Sequence, residues 1–182
     1  MSDSSLTYLL LIGILSLALI GAAITDVRRS RIPNFITFPL AGFGLFMHTV
    51  LDGMDGFLFS IEGLGVGFGL LFVFYLLGGM GAGDVKLLGA VGAVIGPYDA
   101  FIAFLITACL GGLYAIGLMA LTWGIPSTAE RVRVILTTWL VARMFTGPPP
   151  SEQGQPKLRY GLVIGLGALC SQAWRWMETT PF

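Results

Sequence analysis

The sequence predicts an all-α membrane protein with six transmembrane helices, forming a single polytopic domain over residues 1–182. Composition, run length and charge placement carry that prediction. Of the residues, 55% are apolar and 11% charged, against roughly 25% charged in a typical soluble domain. Mean hydropathy is +0.86, so most of the surface would be apolar, and lipid is the fitting solvent. The apolar residues fall into runs separated by short polar breaks, and the basic residues collect on alternate breaks.

A spanning helix needs about 20 apolar residues to cross about 30 Å of hydrocarbon. Residues 6–24 meet that length. The preceding Met-Ser-Asp-Ser-Ser carries a negative charge where a secretory signal needs a positive one, and Arg28, Arg29 and Arg31 follow the run. This is the pattern of a retained first span with its N-terminus outside. The break from Thr25 to Asn34 ends in Pro33-Asn34, which suits a helix start. The second span covers 35–51 and stops at Asp52-Gly-Met-Asp55-Gly. The third covers 57–77, with Glu62 near its outer end, and ends in the glycine-rich break Gly78–Gly83.

The fourth run, 85–96, is short. At 1.5 Å per residue it covers less than about 20 Å, which places the glycine loop below the membrane surface or requires a thinned bilayer. Irregular backbone at that depth needs protein or water around it, which implies a wet recess. The fifth and sixth spans are 100–123 and 158–174. Between them lies the polar interval 124–157, in which 129–145 mixes arginines with Val132, Ile135, Trp139 and Phe145. That mixture predicts a helix in the interface plane, and Pro148-Pro149-Pro150 marks a surface loop.

With the N-terminus outside, Arg28, Arg29, Arg31, Lys86, Arg131, Arg133, Arg143, Lys157 and Arg159 fall on the cytoplasmic side, and only Arg175 lies opposite. Asp26, ending span one, and Asp84, opening span four, then share the cytoplasmic face. A formal net charge of zero argues against a nucleic-acid partner. The lone histidine, His48, lies a turn before Asp52 and is read as making a local hydrogen bond. Cys109 and Cys170 lack ligand spacing, so they are read as core hydrophobes, with no metal site.

A carboxylate at the edge of hydrocarbon is costly and calls for a partner or a function. Two facing carboxylates can share one proton, so that the ionised one activates water and the protonated one donates to a peptide carbonyl. On the residues alone, an active site, a cation pathway and two unrelated interface anchors stay open. The near absence of ionisable residues midway through the spans disfavours transport.

Asp26-Val-Arg-Arg-Ser-Arg-Ile-Pro-Asn34 and Gly79-Met-Gly-Ala-Gly-Asp-Val-Lys-Leu-Leu88 resemble the two signature segments of type IV prepilin peptidases. The second holds the Gly-X-Gly-Asp motif shared with presenilin-like intramembrane proteases. Lys157-Leu-Arg-Tyr-Gly-Leu-Val-Ile-Gly165 is similar to the family's last-helix entry, with Arg159 where a proline usually stands. The resemblance implies a multi-pass protein of the bacterial inner membrane that cuts the short basic leader of prepilin or pseudopilin precursors after a glycine. It implies catalytic Asp26 and Asp84, site-shaping roles for Gly81, Gly83, Lys86, Pro33 and Asn34, and no cofactor. Long members carry Cys-x-x-Cys pairs linked to zinc and N-methylation. This chain is similar to the short, peptidase-only form of tight-adherence (Flp) pilus systems. A Gly-X-Gly-Asp protease of other specificity is the alternative.

Overall fold

The computed structural model describes residues 3–29, 31–76, 80–123, 133 and 160–179, and among these the regular structure is entirely α-helical. The helices are α1 (Asp3–Arg29), α2 (Asn34–Leu76), α3 (Ala82–Ile95), α4 (Pro97–Trp123) and α5 (Tyr160–Thr179). Among the described residues, three stretches are long and apolar enough to cross a membrane: Leu10–Arg29 of α1, all of α2, and Pro97–Leu118 of α4. Their outward faces are apolar, with Leu17 72%, Phe46 65% and Leu113 69% exposed. The expected interfacial helix at 129–145 lies outside the described residues, Arg133 apart.

Helix α2 joins the expected second and third spans. The break expected over Asp52–Gly56 is reduced to one non-helical residue, Gly53, at φ 63° and ψ −132°, a conformation open mainly to glycine. There the chain folds back on itself. The first arm runs parallel to α3, with Asn34 bonded to Lys86 and His48 to the Val94 carbonyl. The second arm runs antiparallel, with Ser60 donating to the Ala93 carbonyl and Gly67 against Leu88. His48 therefore bonds across to α3 at 2.9 Å, and not locally as expected. The carbonyl at Val94 lies near the end of α3 (at Ile95), where the helix supplies no amide partner.

Helix α3 is the core of the bundle, and every residue from Leu87 to Ile95 is buried. Its 14 residues rise only about 21 Å, and helices on all sides shield them. Close approach depends on small residues. A Cβ on Gly63 would collide with the Gly92 carbonyl, and one on Gly92 with that of Gly63. The helix stops at Gly96 (φ 84°), whose N–H donates to the Gly92 carbonyl at 2.8 Å, and Pro97 opens α4. A positive-φ glycine followed by proline is a strong stop-and-restart signal.

At this end of the bundle the buried Asp99 of α4 accepts hydrogen bonds from Arg175 and Gln172 of α5. The pair ties α4 to α5 opposite the end where α3 begins. Cys109 and Cys170 are free but exposed on the outer faces of their helices, which corrects their expected place in the core. An apolar side chain facing lipid needs no burial in protein.

Gly63→Leu should destabilise the bundle by about 1–3 kcal/mol through overpacking. Gly65→Ala, where a Cβ meets nothing within 4 Å, should be neutral or slightly stabilising. Thermal unfolding in detergent micelles would separate the two.

Candidate active site

Both aspartates sit in helices, where the sequence places them at loop ends. Helix α1 continues past the apolar run to Arg29, so Asp26 lies in its last turn. The Thr25 hydroxyl is satisfied within the helix, bonding the Gly21 and Ala22 carbonyls at 3.0 and 2.9 Å. Helix α3 starts at Ala82, so Asp84 lies in its first turn. Gly83 is likewise helical and not part of an open loop. A Cβ there would sit 3.1 Å from Ile32 Cβ, so its small size admits Ile32.

Each carboxylate accepts a backbone N–H at a helix start. Gly81 N donates to Asp84 Oδ2 at 3.1 Å, and Asp84 N returns a bond to the Gly81 carbonyl at 3.1 Å. This is the reciprocal closure of a helix start by its third residue. Gly161 N, in the first turn of α5, donates to Asp26 Oδ2 at 2.9 Å. The positive ends of two helices thus face the two acids. Both acids are buried, Asp26 at 6% and Asp84 at 9% exposure.

A cavity of about 270 Å³ brings them together, lined by Asp26, Arg31, Ile32, Asn34, Gly81, Ala82, Gly83, Asp84 and Lys86. Of the catalytic and site-shaping residues expected from the sequence, Pro33 alone is not in its wall. Pro33 instead directly precedes α2, its carbonyl accepting from Ile36 N at 3.1 Å. Lys86 donates to Asn34 Oδ1 at 3.1 Å and lies over the Phe38 ring at 5.6 Å. Lys86 thereby joins α3 to the start of α2. Among the described residues, neither acid makes an ion pair, and the cations in the cavity wall are Arg31 and Lys86. The same residues contain no cluster of His, Cys, Asp and Glu suited to a metal ion.

The family model for the type IV leader peptidases matches residues 13–116, which include both aspartates, the later part of α1 and all of α3. The chain belongs to the type IV leader peptidase family. Curated relatives include a prepilin leader peptidase/N-methyltransferase of Aeromonas salmonicida (strain A449), 32% identical over 115 residues, covering 59% of this chain and 39% of the relative. One of the same description from Bacillus subtilis (strain 168) is 33% identical over 98 residues, covering 53% and 39%. The chain thus aligns with about two fifths of the length of these relatives. No solved structure matches.

Two contributors to the surroundings of the acids escaped the sequence reading. Gly161 lay within the recognised last-helix segment, but nothing in its spacing tied it to Asp26. Ile32 sat between motif residues as an ordinary apolar side chain. It is buried, and it wedges between Gly83 and Gly161, 3.1 Å from the Cβ position of each.

Asp26→Ala would leave the Gly161 N–H without its acceptor, a loss of about 1–3 kcal/mol for a buried donor. Asp26→Asn keeps an acceptor oxygen and should unfold close to wild type. Thermal midpoints in micelles would rank the three proteins.

Proposed function

We propose that the chain is an intramembrane aspartic endopeptidase that removes the short basic leader of type IV prepilin-like precursors. The cut falls after a glycine at the cytoplasmic membrane face. The observation that carries this reading is that Asp26 and Asp84, from separate helices, line one cavity. Family membership supports it.

In this reading the two acids share one proton. Like charges lining one small cavity disfavour double ionisation. The ionised carboxylate takes a proton from water, and the water oxygen attacks the carbonyl carbon of the scissile peptide. The protonated carboxylate donates to the carbonyl oxygen. The C–N bond then breaks as its nitrogen takes the pair's remaining proton, and a hydroxyl of the tetrahedral intermediate gives its proton back to a carboxylate as the new C=O forms, which restores the single shared proton. The N–H groups of Gly81 and Gly161 hold the two side chains in register for this exchange.

The topology belonging to this function has six crossings: α1, the two arms of α2, α3, α4 and α5. The cavity shares its end of the bundle with Arg28, Arg29, Arg31 and Lys86. Under the positive-inside bias that end faces the cytoplasm of a bacterial inner membrane. The substrates are prepilin or pseudopilin precursors, whose apolar helix enters from the bilayer while the leader stays at the surface. A proton or cation pathway is less well supported. Among the described residues the buried carboxylates are Asp26, Asp84 and Asp99, all near helix ends.

Asp26→Asn and Asp84→Asn, each inserted normally, should lower leader removal from a co-expressed prepilin by at least about 10²–10⁴-fold, the usual share of general acid–base catalysis. Electrophoretic mobility of the pilin reads the result. Normal trimming by either variant would remove the assignment.

A further inference from the structure

One cation in the wall of the acid cavity is uncommitted. Lys86 donates to Asn34 Oδ1 and lies over the Phe38 ring, whereas Arg31 is exposed and makes no ion pair among the described residues. Both line the cavity that holds Asp26 and Asp84. We propose that Arg31 receives an acidic side chain of the precursor, carried on the leader directly before the scissile glycine. The inference rests on the peptidase reading above and adds a determinant of specificity to it.

Placement argues first. Arg28 and Arg29 lie in the last turn of α1, outside the cavity wall, where a positive-inside anchor belongs. Arg31 comes after the helix has ended, and its neighbour Ile32 is buried between Gly83 and Gly161. The core therefore fixes the backbone that carries the guanidinium into the wall of the site.

Charge argues next. With one proton shared by Asp26 and Asp84, the wall carries one negative charge against two positive ones, from Arg31 and Lys86. At Arg31 a carboxylate is then attracted and an ammonium repelled, so the basic residues of the leader lie farther from the cut. The guanidinium fork suits a carboxylate in particular, which accepts two parallel N–H bonds from it.

Reach sets the position. A cavity of about 270 Å³ spans roughly two extended residues at ~3.3 Å each. The glycine on the leader side of the cut has no side chain to offer. The other side is the apolar helix, which stays in the bilayer. The residue directly before the glycine is thus the first that can bring a charge to Arg31.

The full chain is assayed in membranes against one prepilin whose residue before the scissile glycine is Glu, Gln or Lys. Wild type should trim the Glu substrate fastest and the Lys substrate slowest. One exposed ion pair shifts binding by up to about fivefold. Arg31→Glu exchanges attraction for repulsion with one substrate and the reverse with the other. The Glu-to-Lys ratio should therefore fall at least about 10-fold, and the order should invert. Added salt should compress the wild-type ratio towards one, and Arg28→Gln and Arg29→Gln should keep the wild-type order. If Arg31→Glu keeps that order, or slows all three substrates equally, Arg31 serves the lipid surface or insertion and the proposal is wrong. Should Arg31→Glu fail to insert, Arg31→Gln decides, because the proposal requires it to lower the ratio at least about threefold. A wild type that trims none of the series removes the peptidase reading, whereas trimming without preference removes only the recognition of the acid.

Discussion

Each buried carboxylate is tied to a backbone N–H in the opening of a helix, Asp84 to Gly81 and Asp26 to Gly161. Much of the rest of the structure follows from satisfying both bonds at once. Asp26 and Gly161 come from near the two ends of the chain, so α1 and α5 must pack side by side. Asp84 opens α3, so the first turn of the most buried helix must lie at the same end of the bundle. Charged groups in such surroundings are expensive unless hydrogen-bonded. Two helix N-termini supply donors and a favourable field without adding a cation.

Packing then has to hold these helix ends in place. Helix α3 presents Gly89 and Gly92 to the second arm of α2, while Gly44 of the first arm meets the Ala93 carbonyl. In a bilayer, where burying apolar surface does not by itself favour helix contact, small residues permit the close backbone approach that does. The fold-back at Gly53 brings both arms onto one helix. At the far end, the Asp99–Arg175 contact keeps α5 on α4. The cavity between Asp26 and Asp84 thus stays framed by helices fixed at both ends.

The sequence made the apolar helices legible because run length and charge asymmetry are properties of the chain alone. Asp26 and Asp84 were legible for the same reason, as acids at the boundary of hydrocarbon. Boundaries were harder. Thr25 satisfies its hydroxyl by bonding back into its own helix, so a polar residue that looked like a break lies inside α1. The turn at Gly53 could not be distinguished from a longer loop, since Asp52 and Asp55 are as polar as loop residues. His48 was assigned a neighbour in sequence, whereas its partner, the Val94 carbonyl, became available only through tertiary packing. Gly161 was hidden more deeply, because a backbone N–H leaves no trace in side-chain chemistry.

Ile32 shows how an unremarked apolar residue shapes a polar site. It stands between Gly83 and Gly161 and touches the wall of the cavity. Both glycines lack the side chain that would displace it, so one isoleucine sets the spacing between the start of α3 and the start of α5. Those helix starts carry the donors to Asp84 and Asp26. The separation of the carboxylates is therefore governed partly by van der Waals contact, which is steep with distance, and partly by hydrogen bonds, which are directional. Lys86, engaged with Asn34 and the Phe38 ring, steadies the same junction from the outside. An acid pair built in this way depends on apolar contacts as much as on the acids themselves.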